Sequence, residues 1–111
     1  MIEIEAALET DGTLRSCKAS GHAAAGKTGT DIVCAAVSVL MRTAIGILSG
    51  RKGIALRCGA PEKGQLWLEA DYNADGKEFL SAAGVFLIEG LKSVAQEYPK
   101  NCKVTIKNFS F

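Results

Sequence analysis

Residues 2–19 read as a β-hairpin, and that hairpin dictates a sheet with one wet face and one dry one. Apolar Ile2, Ile4, Ala6 and Leu8 alternate with Glu3, Glu5, Ala7 and Glu9. This is the period-two pattern of a strand buried on one side. Asp11-Gly12 supplies a two-residue turn, which pairs Thr10 with Thr13. Leu8 then lies opposite Arg15, Ala6 opposite Cys17 and Ile4 opposite Ala19 on the apolar side. Glu5 meets Lys18 on the polar side, an opposite-charge cross-strand pair. Cys17 is thereby a small core residue. Such a sheet folds only when an apolar layer covers its inner face.

The rest of the chain supplies that layer. Residues Ile32 to Ser49 predict a helix, capped by Thr30 or Asp31, with Val33, Val37, Leu40, Ala44 and Leu48 at helical spacing. Arg42 is its sole ionic residue, so the helix is buried on most sides. Ser38, Arg42, Thr43 and Gly46 interrupt it, and it is too short for a membrane span. After a turn at Gly50–Gly53 come two strands, Ile54–Cys58 and Leu66–Ala70, joined by Gly59–Gly64. Leu66, Leu68 and Ala70 share one face; Trp67 and Glu69 share the other. A second helix starts at Asn73 or Asp75 and presents Phe79, Ala83, Phe86, Leu87, Gly90, Leu91, Val94 and Ala95. It ends at Tyr98-Pro99. A last strand, Cys102–Lys107, alternates Val104 and Ile106 with lysines. The order ββαββαβ predicts an α+β two-layer sandwich: a mixed, mostly antiparallel five-stranded sheet with two helices on one face. The other face is open, with Trp67 on it. That residue reads equally as a partly covered surface side chain and as an anchor for a dimer or a substrate.

The 111 residues suit a single domain spanning 1–111. A formal net charge of +1 implies no general attraction to nucleic acid or membrane. Four cysteines (Cys17, Cys34, Cys58, Cys102) include no C-x-x-C pair, and His22 is the only histidine. No metal site and no cofactor is expected from such a set. The glutamates that alternate after Met1 are unlike a secretory signal. The expectation is a cytoplasmic protein with reduced thiols rather than a disulfide framework.

One stretch has a composition that packing does not require. Gly21, Gly26 and Gly29 fall within nine positions and bracket His22; Asp31-Ile32-Val33-Cys34 follows, opening a helix. A cysteine near a helix N-terminus sits where the macrodipole favours its thiolate. A free thiol titrates at about 8.5, so only a few per cent is ionised at neutral pH without such help. His22, twelve residues upstream across a glycine-rich loop, can pair with Cys34 as base and acid. Strict alternation would point His22 to the polar side of the sheet, so the pairing needs a break at Gly21. Asp31 reads as the helix cap or as the group orienting His22. Residue types alone leave the packing reading of Cys34 open as well, since a cysteine at a helix start is commonly a core residue.

The run Gly21-His22-Ala23, then Gly29, then Asp31-Ile32-Val33-Cys34-Ala35-Ala36-Val37-Ser38 resembles the ribosomal-processing cysteine protease family Prp. The resemblance extends over nearly the whole chain, including the opening hairpin and Gly90-Leu91 through Glu97-Tyr98-Pro99. It implies a cytoplasmic bacterial cysteine endopeptidase, a homodimer. Such an enzyme removes an N-terminal extension from the large-subunit ribosomal protein numbered twenty-seven in its series, cutting after phenylalanine and before alanine. It also implies that His22 and Cys34 are catalytic, and that the loop between them orders on the substrate, with Gly21 and Gly29 as hinges. The partner is then the ribosomal protein precursor, with no direct contact to nucleic acid or membrane.

Two other readings remain. A non-enzymatic ribosome-associated binding module would use the open sheet face near Trp67, Lys103 and Lys107; the near-neutral charge and the lack of paired aromatics on one strand argue against it. A thiol redox sensor at Cys34 has no resolving cysteine evident from spacing.

Overall fold

A computed structural model describes residues 1–21, 28–62 and 64–110, with the backbone alone described for 28–31. The elements run β1 (Ile2–Leu8), β2 (Leu14–Ser20), α1 (Thr28–Leu48), β3 (Ile54–Gly59), β4 (Gln65–Tyr72), α2 (Lys77–Glu97) and β5 (Cys102–Asn108). They form one five-stranded sheet in the order β3-β4-β2-β1-β5. The β1–β5 pairing is parallel and the other pairings are antiparallel. This is the expected α+β architecture.

Strand alternation sorts the sheet into its two faces. Ile2, Ile4, Ala6, Cys17, Ala19, Leu68 and Cys102 point inward and join Val33, Val37, Met41, Ala44, Leu87, Ile88 and Leu91 of the helices in one core. A second cluster, Leu48, Ala70 and Leu80 with Ile54 and Tyr72 against it, closes the far end of β4. Each fully buried leucine or isoleucine in these clusters contributes roughly 1.5–3 kcal/mol by leaving water. The helices meet where Leu40 lies over Gly90; a Cβ there would come to 2.9 Å from Leu40 Cδ2.

Several details differ from the sequence reading. The hairpin loop holds three residues, not two: Gly12 N–H donates to the Glu9 carbonyl at 2.8 Å and Glu9 N–H to the Thr13 carbonyl at 2.9 Å. Gly12 sits at φ +92°, the left-handed position that closes a type I turn in this kind of hairpin. Asp11 favours that closure by accepting from the Thr13 N–H at 3.0 Å and the Thr13 hydroxyl at 2.8 Å. Leu8 therefore faces Leu14, not Arg15, and Arg15 becomes the extra residue of a bulge that restores Ala6↔Cys17, Glu5↔Lys18 and Ile4↔Ala19. The core pairs are as expected although the turn is not.

The buried stripe of α1 passes through Met41, fully buried, with Leu40 displaced to its flank. On α2 the stripe is Leu80, Gly84, Leu87, Ile88 and Leu91; Phe86, expected inside, is 72% exposed. Both shifts arise because a helix this apolar offers two overlapping stripes, and only the neighbouring layer selects one. The second helix begins at Lys77 after Gly76. Asn73 instead makes the preceding turn, its Oδ1 accepting from the Asp75 N–H at 2.9 Å.

Candidate active site

Cys34 is the seventh residue of α1, in its second turn. Val33 and Val37 beside it are buried, and Cys34 is half-buried against the core they join. At 100° per residue, Cys34 and Leu40 fall on opposite flanks of the buried stripe. Leu40 abuts α2, so Cys34 occupies the flank away from that helix. Ser38 and Arg42 follow at four-residue steps on the same flank, with Arg42 Nε donating to Ser38 Oγ at 3.1 Å. The spacing 34, 38, 42 could have revealed this row from sequence.

The helix start corrects two expectations. Because α1 begins at Thr28, Gly29 is a helical residue rather than a loop hinge. Asp31 likewise lies within the helix rather than ahead of it as a cap; its side chain is outside the described residues. A glycine disfavours a helix by only about 1 kcal/mol relative to alanine, which does not prevent the first turn from forming there. Cys34 then lies beyond the first four N–H groups, the ones without intrahelical partners. The macrodipole is strongest within that first turn, and Cys34 stands just past it. Cα–Cβ bonds of a helix tilt toward its N-terminus, so the Cys34 Cβ leans toward that end.

At the other side of the glycine-rich stretch, β2 ends at Ser20 and Gly21 turns the chain at φ +128°. Gly21 N–H donates to the Gly64 carbonyl at 3.1 Å, and a Cβ at this position would overlap the Met1 carbonyl. Only glycine accepts both the conformation and the close approach. The regular alternation of β2 ends at Ser20, one residue before Gly21. His22 itself, with residues 23–27, lies outside the described residues.

The remaining cysteines separate cleanly. Cys17 is fully buried, and burial pushes its thiol up to about 12; burial also raises Cys102. Neither has the thiolate that nucleophilic attack needs. Cys58 is exposed on β3, an edge strand. Trp67 is half-buried with its indole across Gly59, where a Cβ would come to 2.9 Å from Nε1. A 220 Å³ groove on the open sheet face is lined by Glu3, Ile4, Glu5, Lys18, Ser20, Lys103 and Thr105, on the side of the sheet opposite the helices. Among the described residues no group of histidine, cysteine or carboxylate side chains could hold a metal ion, and no helix is long and apolar enough to cross a membrane.

Comparisons with known proteins give a family and a shared fold. Residues 1–103 match the family described as cysteine protease Prp. No curated protein gives a significant match. The fold is similar to the essential ribosomal processing protease Prp of Staphylococcus aureus in complex with a substrate peptide, at 18% identity and a TM-score of 0.81, covering 96% of this chain and 100% of that one. The same S. aureus protease with a covalently linked product peptide aligns at 19% identity and a TM-score of 0.80, over 96% and 100% of the two chains. A Streptococcus mutans protein aligns at 24% identity and a TM-score of 0.76, over 98% and 96%.

Proposed function

The chain belongs to the cysteine protease Prp family, and from that premise we propose that residues 1–111 are a single endopeptidase domain with Cys34 as nucleophile and His22 as its base and acid. Its substrate in this proposal is the precursor of the large-subunit ribosomal protein numbered twenty-seven in its series, whose N-terminal extension it removes during ribosome maturation. The observation that carries the reading is Cys34 itself: of the described cysteines in the family-matched region, it alone stands half-open on a helix flank, within the run Asp31–Ser38.

The chemistry follows from the residue types. His22 takes the Cys34 proton, and the thiolate attacks the scissile carbonyl. The imidazolium then protonates the leaving amine, and water, deprotonated by the same imidazole, releases the acyl group. Gly21 N–H is committed to Gly64, so the first-turn N–H groups of α1 are the candidate donors for the oxyanion. Asp31 supports the site from that same turn, by orienting His22 or by adding negative charge that favours the helix start. A cytoplasmic location and a homodimeric assembly belong to the same proposal and rest on the family resemblance.

The test uses the host's ribosomal protein precursor and intact-mass detection. Cys34→Ser and His22→Ala should each abolish removal of the extension. Full cleavage by either variant refutes the dyad. A mature ribosomal protein that still carries the extension in the host refutes the substrate.

A further inference from the structure

We propose that β3 is the substrate-binding edge: an extended stretch of the polypeptide substrate adds to it as a further strand. The inference rests on the peptidase reading above and names how that site would hold its substrate.

Among the described residues β3 lies at one end of the sheet and pairs with β4 alone, and the groups it turns outward can be identified. Asn73 N–H donates to the Gly53 carbonyl at 2.9 Å, one step beyond the Ile54↔Tyr72 pair. Bonding alternates along an antiparallel strand. Ala55, Arg57 and Gly59 therefore bond β4, while Leu56 and Cys58 turn their N–H and C=O groups outward. Natural edges are commonly guarded by a charged side chain or a proline. Here the strand contains no proline. Its one charge, Arg57, is folded back across β4, with Nη1 on Asp71 at 2.8 Å and Nε at 3.6 Å from Glu69.

The nucleophile lies over this edge rather than the other one. Helix α1 packs on β3 and β4, and α2 on β5 and β2. Cys34 is on the α1 flank away from α2, which is the β3 side. Along the helix, Leu48 packs with Ala70 and Ile54 at the far end of these strands. Cys34 is fourteen residues earlier, about 21 Å along the axis, which brings it to the Gly59–Gly64 end. Gly21, the residue before His22, is bonded to Gly64 at that same end. A peptide paired to Leu56 and Cys58 thus runs toward Cys34 and toward Gly21, the residue that precedes His22 in the chain. Strand addition recognises backbone, and alternate side chains then supply specificity.

Amide hydrogen exchange on the Cys34→Ala protein with an uncut peptide spanning the extension junction tests this directly. Exchange at Leu56 and Cys58 should slow, with Ala55 and Arg57 unchanged because their N–H groups already bond β4. A parallel amide-to-ester scan of the peptide with the wild-type enzyme should raise KM about three- to tenfold at every second position, with kcat retained, as expected for single backbone hydrogen bonds. Cleavage by the wild type with unchanged exchange at Leu56 and Cys58, or slowing confined to β5 or the open sheet face, overturns the inference and leaves the peptidase reading standing. A wild-type chain that leaves the peptide uncut overturns both.

Discussion

Gly21 donates its backbone N–H to the carbonyl of Gly64 at 3.1 Å, tying the residue ahead of His22 to the turn that joins β3 and β4. The bond carries the Ser20↔Gln65 pairing one step further, joining the end of β2 to the start of β4, so Gly21 is a fixed point beside the turn that follows the edge strand. At φ +128° and against the Met1 carbonyl, no side chain fits there without moving backbone. Gly21→Ala should therefore destabilise the fold by roughly 1–3 kcal/mol. Peptide cleavage should fall even at temperatures where the variant remains folded. Thermal unfolding and cleavage rates measured on the same sample separate the two effects; an unchanged melting temperature would contradict the close contact.

The cysteines predict a labelling pattern. Cys58 is exposed and Cys34 half-buried, whereas Cys17 and Cys102 are 0% and 2% exposed. Iodoacetamide under native conditions should modify Cys58 and Cys34 and leave the other two unmodified until denaturant is added. Peptide mapping by mass spectrometry reads this. Early modification of Cys17 would mean that the core at Ala6↔Cys17 is more open than the structure shows.

Two helical glycines should respond to alanine with opposite signs. Gly46 in α1 has nothing within 4 Å of a built Cβ, so Gly46→Ala should stabilise by about 0.5–1 kcal/mol through helix propensity. Gly84 in α2 faces the Leu14 Cβ at 2.7 Å. That atom is fixed to its strand and cannot swing away, so overpacking of about 1–3 kcal/mol outweighs the propensity gain. Denaturant midpoints of the two variants should move apart; a shift in the same direction would count against this helix placement.

Acid should weaken the hairpin through Asp11. Hydrogen bonding to Lys77 Nζ at 2.9 Å, and to the Thr13 N–H and hydroxyl, holds its carboxyl below the usual 3.8. A carboxylate depressed in the folded state stabilises it at pH values above the unfolded pKa, and that contribution is lost as pH falls. The difference in melting temperature between wild type and Asp11→Asn should be constant above about pH 5 and shrink progressively once pH passes below 3.8. A difference unaltered down to pH 2 would exclude the ion pair as its source.

Arg15 shows where a local pattern misleads. Alternation placed it on the apolar face opposite Leu8. In the fold its Nη1 donates to Glu9 Oε2 at 3.0 Å, its Nη2 to Asp71 Oδ1 at 2.6 Å and its Nε to the Ala70 carbonyl at 2.8 Å. Its guanidinium lies 4.1 Å from the Phe109 ring centre. Tyr72 donates to the same Glu9 oxygen at 2.7 Å. These partners come from three separate parts of the chain, the residue after β1, the end of β4 and the residue after β5, and a bulge delivers Arg15 to them. Arg15→Lys should therefore cost about 1–3 kcal/mol of stability, since an ammonium cannot reproduce the planar fork or its stacking. Chemical denaturation measures it; a cost near zero would show the cluster to be incidental.

By itself the sequence determined the order of elements, the inward side of each strand, the core partners of the opening hairpin and the run that holds Cys34. These depend on side-chain period and short-range turn chemistry, which are properties of neighbours along the chain. Tertiary structure alone decided the strand order with its parallel β1–β5 pair, and which of two apolar stripes each helix buries. It also decided how Gly21 is wedged against Met1 and which sheet edge lies beneath Cys34. Those outcomes require faces from distant segments to pack together, and a local pattern carries no information about the surface that will meet it.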